Sequence, residues 1–391
     1  MKLYHQTGHN CIWNKDSLVE DQAGDGLILS PVNMDQSKIS DLSDDIKMHS
    51  FFDPQFYMPK DAKGKLSSYD FFPANLINNF QSSDFETSKD ELAKQCIDFQ
   101  ISNNFEYVII PTRYFEDIPA DFYDQVTKYF IEPYLNYFRS INVDKKILLT
   151  CIVKQTQLLN DESRAYILNW LSSFNDLSGF YLIFENDFQT KQIKHPTYLV
   201  NALKFIYSLR ANDFTVNIGY NNTEGILYSV ADPSSISMGS YDNLRQFGIK
   251  RFVTSDKKQP MQPNPRLYSK TLFQFIDYRY LDALSSLYKD GVALFEDSRY
   301  QPLMFNSEYN WHFTKSEPYK HFFLIFQKQL QEIPIGMFER INYLKDSFRE
   351  SIELFKHINE AGVFLDENSD GSHLSFWLTS LSMFEKYLQD N

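Results

Sequence analysis

Short apolar runs alternate with longer helical segments about eight times between Gly26 and Asp297. This alternation is typical of βα units, in which parallel strands form a sheet that the helices cover. Eight such units close a barrel, so the sequence predicts an α/β fold of the (β/α)8 TIM-barrel-like class. The runs that predict the eight strands are Gly26–Val32, Ser50–Asp53, Glu106–Thr112, Lys146–Lys154, Gly179–Glu185, Phe214–Tyr220, Ser235–Ser240 and Gly291–Asp297.

A further run leaves the assignment of the last strands open. Arg251–Thr254 is a ninth strand candidate, and if it belongs to the barrel, then Ser235–Ser240 or Gly291–Asp297 does not. Between the runs the pattern predicts helices, one of them across Ser269–Lys289.

The rhythm changes at about residue 300, which predicts a division of the chain. We expect residues 1–300 to form the barrel domain, with 1–25 as a cap segment because that stretch lacks clean periodicity. Residues 301–391 are expected to form a mostly helical extension packed on the barrel, which could dock a protein partner. The apolar stripe that predicts this extension consists of Ile341, Leu344, Phe348, Ile352 and Phe355.

Composition excludes several classes of protein. The net charge of −13 disfavours general binding of duplex nucleic acid, because an acidic surface repels phosphate. The N-terminal residues 1–15 lack the apolar core of a signal peptide, and no run approaches the ~18–20 apolar residues that cross a bilayer. We therefore expect a cytoplasmic protein without a membrane segment.

Metal and cofactor motifs are not readable in the sequence. The three cysteines, Cys11, Cys96 and Cys151, contain no CxxC pair, and the histidines do not cluster at ligand spacing. No metal site is predicted, and no cofactor can be named. GxSxG, P-loop and GxGxxG motifs are also missing, which argues against a serine hydrolase, a P-loop NTPase and a Rossmann reductase.

Polar side chains at the predicted strand ends are the candidates for a site, because barrels place their sites there. Asp53 and Glu185 are predicted to be a catalytic acid/base pair, since convergent carboxylates push their pKa values apart. Alternatively, such carboxylates cap helices or pair with cations, and we favour an ion pair between Lys154 and Glu185. The residues predicted to bind substrate are Gln55, Arg113, Lys154, Asp187, Asn217, Asn222 and Asp297.

Two of these residues, Arg113 and Lys154, are expected to hold an anionic group of the substrate. A second possible anion site is weaker: the string MGSYDNLRQFG from Met238 places a glycine and a serine before a possible helix start, where backbone amides bind phosphate.

These residues favour an enzyme that acts on a small molecule. We predict a hydrolase or a glycosyl- or nucleoside-transferring enzyme, with a glycosidic or nucleoside-like substrate. Barrel glycosidases commonly carry carboxylates at the ends of strands four and seven, whereas those predicted ends read Lys154-Gln155 and Gly239-Ser240 here. The alternative is a catalytically silent barrel that serves as a subunit of a larger bacterial assembly.

Overall fold

Eight parallel strands form one sheet in the order β3-β2-β1-β8-β7-β6-β5-β4. The computed structural model describes residues 1–188, 190–254, 263–287 and 294–390. The sheet curls into a nearly closed barrel with helices outside it, which confirms the predicted TIM-barrel-like class. Its strands are β1 (Lys2–Gln6), β2 (Gly26–Leu29), β3 (Phe51–Phe52), β4 (Tyr107–Ile110), β5 (Lys146–Lys154), β6 (Gly179–Glu185), β7 (Thr215–Asn221) and β8 (Ser235–Gly239).

The barrel closes where β3 and β4 lie side by side. The backbone N–H of Glu106, just before β4, donates to the carbonyl of Ser50, just before β3, over 2.8 Å. Inside, the ring of Phe51 on β3 contacts the rings of Tyr4 on β1, Tyr107 on β4 and Tyr181 on β6, at 5.1, 5.8 and 5.3 Å between centroids. Rings from four strands around the sheet therefore meet at its centre, as a closed barrel requires.

The first strand corrects a prediction. Residues 1–25 were expected to be a cap, but Lys2–Gln6 pairs in register with both β2 and β8. The run KLYHQ reads as polar because Tyr4 and Gln6 face a partly polar barrel interior while His5 is buried on the outer face. Alternation of apolar and polar residues, the usual signal of a half-buried strand, is therefore missing.

Two other local predictions are wrong, and the assignment of Arg251–Thr254, which the sequence leaves open, is decided against a strand. Leu294 to Asp297 form no strand although Leu294 and Phe295 are buried in the core, and 291–293 lie outside the described residues. The ninth candidate, Arg251–Thr254, overlaps a 3-10 helix at Ile249–Phe252. The helix predicted across Ser269–Lys289 is instead the end of an antiparallel hairpin, β9 (Arg266–Ser269) and β10 (Gln274–Asp277), followed by a short helix; 288–289 lie outside the described residues.

Helices cover the barrel and continue into the C-terminal region. They are α1 (Cys11–Glu20), α2 (Gln36–Ser40), α3 (Asp44–Met48), α4 (Pro73–Leu76), α5 (Phe85–Ser102), α6 (Phe122–Val126), α7 (Glu132–Ile141), α8 (Gln155–Leu159), α9 (Asp161–Ser172), α10 (Pro196–Ala211), α11 (Gly225–Tyr228), α12 (Leu281–Leu287), α13 (Gln301–Met304), α14 (Glu317–Glu332), α15 (Met337–Glu360) and α16 (His373–Asp390). None of the helices in these ranges has the length and apolar character needed to cross a membrane.

The three long C-terminal helices pack against the barrel layer. Helix α14 lies against α1, and its Phe323 stacks on His5 of β1 with centroids 4.0 Å apart. Helix α16 lies along α10, where the indole N–H of Trp377 donates to the carbonyl of Ile193 over 3.0 Å. The division at residue 300 stays a prediction.

Candidate functional site

An ion pair stands at the carboxyl ends of β5 and β6. The Nζ of Lys154 lies 3.6 Å from Oε2 of Glu185, and both side chains keep some exposure, 14% and 18%. The hydroxyl of Tyr114 donates to Oε1 of Glu185 over 2.7 Å, and Lys154 donates to that hydroxyl over 3.2 Å and to the carbonyl of Glu116 over 2.6 Å. The ion pair favoured from the sequence is therefore present, with a tyrosine added to it.

This arrangement, which we call the mouth triad (Tyr114, Lys154 and Glu185), can move protons. Burial and the hydrogen bond to Glu185 both raise the pKa of Tyr114, so its phenol stays protonated and can donate. The carboxylate accepts from that phenol and faces an ammonium group. A proton acceptor, a neutral donor and a cation within hydrogen-bond reach of one another are the groups that general acid–base chemistry needs.

Two clefts flank the mouth triad. The first, about 680 Å³, borders Lys154 and runs between the segments after β4 and β5. The second, about 410 Å³, borders Tyr114 and lies between the segments after β3, β4 and β8. Glu116 borders both clefts. A small molecule in either cleft would contact the triad from one side.

Arg113 borders the second cleft without a carboxylate partner in the described ranges. Its Nη2 donates to the hydroxyl of Ser82 over 2.7 Å, and its guanidinium lies 5.2 and 4.6 Å from the ring centroids of Phe85 and Phe115. Its Nε and Nη1 are buried and have no hydrogen-bond partner. Burial lowers the pKa of Arg113, because the charged form loses its water. Among the described residues, the charge of Arg113 beside this cleft is therefore not neutralised by a carboxylate.

Asp53 lies just beyond β3 and is buried in the barrel mouth. Its carboxyl accepts from the hydroxyl of Tyr57, at 2.9 and 3.1 Å, and from the backbone N–H of Gln55 at 3.1 Å. Burial raises the pKa of Asp53 to about 7, since these hydrogen bonds offset only part of the lost hydration. Gln55 adopts a left-handed backbone conformation (φ 56°), and its side chain bonds to Ser30 and to the N–H of Val32.

An aromatic lid packs on Tyr57, the tyrosine that donates to Asp53. We use that name for residues 247–252, in which Phe247 contacts the rings of Tyr57, Tyr220 and Tyr114 at 5.2, 5.5 and 6.0 Å. Phe252 adds a contact with Tyr57 at 4.8 Å. The lid therefore contacts both tyrosines that donate to the candidate carboxylates, Tyr57 at Asp53 and Tyr114 at Glu185.

The predicted acid/base pair does not meet directly. No hydrogen bond or ion pair joins Asp53 to Glu185 in the part of the chain that the structure describes. Each carboxylate instead accepts from its own tyrosine, Tyr57 or Tyr114, and the backbone N–H of Tyr114 donates to the carbonyl of Tyr57 over 3.0 Å. The two segments that carry these tyrosines are thus joined, although the carboxylates are not.

The remaining predicted residues are dispersed. Asn217 lies inside the barrel, where its Oδ1 accepts from Ser235 over 2.7 Å, and Asn222 donates to the carbonyl of Lys191. The backbone N–H of Asp187 donates to Gln155 over 3.2 Å, close to Glu185 in sequence. Asp297 does not end a strand, and its carbonyl accepts from Lys328 of α14.

Three aromatic residues that organise the mouth, Tyr57, Tyr114 and Phe247, were not among the predicted site residues. Tyr57 and Tyr114 lie only four or five residues beyond their strands, so a search extended past the first two positions would have included them. Phe247 gave no signal, because it belongs to an irregular segment and is one of 35 phenylalanines.

Metal binding has no visible basis here. Across the described ranges, no group of three or more His, Cys, Asp or Glu side chains is placed to hold a metal ion.

Comparison with known proteins adds little. No family model and no curated protein matches the chain. One solved structure, the enoyl reductase domain of MlnA from the macrolactin biosynthesis cluster from Bacillus amyloliquefaciens, aligns over 99% of this chain and 96% of its own. The two chains are 11% identical with a TM-score of 0.28, and a likeness of that size carries no conclusion for this protein.

Proposed function

We propose that this chain is an enzyme that works at its barrel mouth by carboxylate acid–base chemistry. The observation that supports the proposal most is the mouth triad: a partly exposed carboxylate, Glu185, bonded to a lysine that borders the first cleft and to a tyrosine that borders the second. Site residues at the carboxyl ends of barrel strands also follow the usual position of barrel active sites.

The two carboxylates suit opposite roles in this proposal. Glu185 faces Lys154 as an anion and takes a proton from water or from a substrate hydroxyl. Asp53, with a pKa of about 7, is half protonated near neutral pH and gives its proton to the leaving group as the bond to it breaks. Because the aromatic lid packs on Tyr57 beside Asp53, Phe247 has to move aside when substrate enters.

The substrate class we propose is a glycosidic or nucleoside-like small molecule with an anionic group. Arg113 would hold the anion, since it borders the second cleft and forms no ion pair within the described residues. Phe80, Phe115 and Tyr114 border the same cleft and offer rings on which a sugar or a base could stack. A hydrolase or a transferase fits these features equally, because either water or a second hydroxyl can be the nucleophile.

The test is turnover by the purified full chain of p-nitrophenyl glycosides, their 6-phosphates, nucleosides and nucleoside phosphates. Release of nitrophenol or free base is measured, and we expect at least one substrate to turn over. Glu185→Gln should lower kcat/KM for it by about 10²-fold or more, as loss of a general base does. Glu353→Gln, on the surface of α15, is the matched control and should leave turnover unchanged. Absence of turnover across the panel, or an unaffected Glu185→Gln variant, would refute the proposal.

A second candidate function rests on the C-terminal extension. Ile335, Phe338 and Phe364 are exposed there, Ile335 to 92% and Phe364 to 75%, which is unusual for large apolar side chains. These side chains favour a subunit that docks a protein partner through the extension. Light scattering on the purified chain and co-purification from the host distinguish a subunit of an assembly from an independent enzyme.

A further inference from the structure

A third cavity of about 460 Å³ lies at the carboxyl ends of β8 and β1. It shares no lining residue with the two clefts beside the mouth triad. Its volume falls within the about 300–1,000 Å³ typical of small-molecule pockets. The residues that define its character are Tyr241, Arg245, Arg266, Phe275, Phe313 and Tyr319.

Positive charge exceeds negative charge at this cavity. Asp242 accepts from Arg245 over 2.9 Å and from Lys191, and the charge of Arg266 also acts on it. Burial by itself would raise the pKa of Asp242, but the three cations together outweigh burial and lower it to about 2. One carboxylate therefore faces three cations. The other acid near Arg245 is the buried Glu224, whose pKa burial raises to about 7, so it is only partly charged at neutral pH.

The two arginines also keep unused donors. The Nε of Arg245 and the Nε of Arg266 are buried and have no hydrogen-bond partner, and Arg266 forms no ion pair within the described residues. The hydroxyl of Ser240, which directly follows β8, is buried and unpartnered as well. Buried N–H groups of a cation are rarely left without an acceptor, because desolvation is costly. These unpartnered groups leave the positive charge beside the cavity incompletely matched, and this excess of charge favours an anionic ligand in the cavity.

Aromatic rings form the remaining walls. Tyr241 and Tyr319 pack edge to face at 5.0 Å, and Trp13 stacks behind Tyr319 at 5.1 Å, which fixes the position of that ring. The ring of Phe275 lies under the guanidinium of Arg245, whose Cζ is 4.1 Å from the ring centroid. Rigid rings beside charged donors suit a ligand that combines a planar ring with an anion.

We propose that this cavity binds a nucleoside monophosphate. The phosphate interacts with Arg245 and Arg266, and the base lies against Tyr319 and Phe313. The site lies at the end of β8, the region in which barrels often bind phosphate. Part of its lining, from Tyr241 to Arg245, comes from the string MGSYDNLRQFG, which predicts a possible anion site. It does not depend on the acid–base function proposed for the mouth, since no residue is shared.

Calorimetric titration of the full chain with AMP, GMP, CMP and UMP tests the proposal directly and does not require turnover. At least one of the four should bind, and its parent nucleoside should bind at least tenfold more weakly. Arg266→Gln should raise the Kd at least tenfold, because it removes a charged donor. Arg349→Gln, an exposed arginine on α15, is the matched control and should keep the wild-type Kd.

A second variant protects the test against a folding defect in Arg266→Gln. Phe313→Ala changes a half-buried residue in the cavity wall. It should lower the affinity for the nucleotide and leave the affinity for inorganic phosphate unchanged. The proposal is overturned if none of the four nucleotides binds at millimolar concentration. It is also overturned if nucleoside and nucleotide bind alike, or if both variants bind like the wild type.

Discussion

Lys154 and Glu185 are register partners on neighbouring strands, and their charged atoms lie 3.6 Å apart at the barrel mouth. They are the last residues of β5 and β6, so the parallel pairing that builds the barrel also brings these charges together. Their position between buried strands and open clefts leaves both groups partly desolvated, which makes the pair stronger than a fully exposed one.

Removing one charge of this pair should cost stability, and the two removals should be coupled. We expect Lys154→Met and Glu185→Gln each to lower the free energy of unfolding by about 1–2 kcal/mol, with a coupling energy near 1 kcal/mol in the double-mutant cycle. Urea unfolding of the wild type, the two single variants and the double variant measures this coupling energy. The same cycle on the exposed pair Lys356 and Glu353 is the control and should give a coupling below about 0.5 kcal/mol. Equal coupling in both cycles would contradict a partly desolvated pair.

Gly219 makes room for a ring inside the barrel, and this can be tested by adding one methyl group. A Cβ at Gly219 would lie 2.6 Å from the ring and hydroxyl of Tyr181, closer than packed atoms approach. Gly219→Ala should therefore lower the free energy of unfolding by about 1–3 kcal/mol, as overpacking does. Gly248→Ala, where nothing lies within 4 Å of the added carbon, is the matched control. Thermal unfolding of both variants measures the difference in stability. Equal melting temperatures would show that Tyr181 can move aside.

Most of the fold was predictable because seven of the eight barrel strands coincide with apolar runs in the sequence. Runs such as Lys146–Lys154 and Gly179–Glu185 coincide with β5 and β6. The strand that was not predicted, β1, carries His5 and Gln6, which are buried although polar. Its place in the sheet depends on pairing with β8, more than 220 residues away, and no local pattern records such a contact.

The site was less predictable than the fold. Strand ends correctly indicate which polar groups face the mouth, and Lys154 with Glu185 illustrates that. Which groups then meet depends on the segments beyond the strands, whose backbone has no periodicity. Phe247 contacts both Tyr57 and Tyr114 because of the path taken by an irregular segment, and the sequence holds no signal for that path.

The buried Asp53 should make stability fall as pH rises from about 4 to about 7. Its pKa in the folded protein is about 7, against about 3.9 in an unfolded chain, so the folded state binds more protons in this window. Stability then decreases with pH, and deprotonation costs up to a few kcal/mol by pH 7. Asp53→Asn removes this contribution, so its free energy of unfolding should rise relative to the wild type between pH 4 and pH 7. Urea unfolding at one-unit intervals measures the difference, and a constant difference would show that Asp53 titrates normally.

The lid should account for much of the raised pKa of Asp53. Phe247 contacts Tyr57, and Tyr57 holds the carboxyl of Asp53, so Phe247→Ala opens a path for water to the acid. We expect a loss of about 3 kcal/mol in stability, as for a buried phenylalanine, and a smaller pH dependence, because a hydrated Asp53 returns toward its ordinary pKa. Phe364→Ala, at a ring that is 75% exposed, is the control and should change stability by less than about 0.5 kcal/mol. The pH dependence of each variant is compared with that of the same variant carrying Asp53→Asn, which isolates the contribution of the acid. If Phe247→Ala loses stability but keeps the full contribution of Asp53, then tyrosine and backbone contacts, rather than the lid, exclude water from the carboxyl.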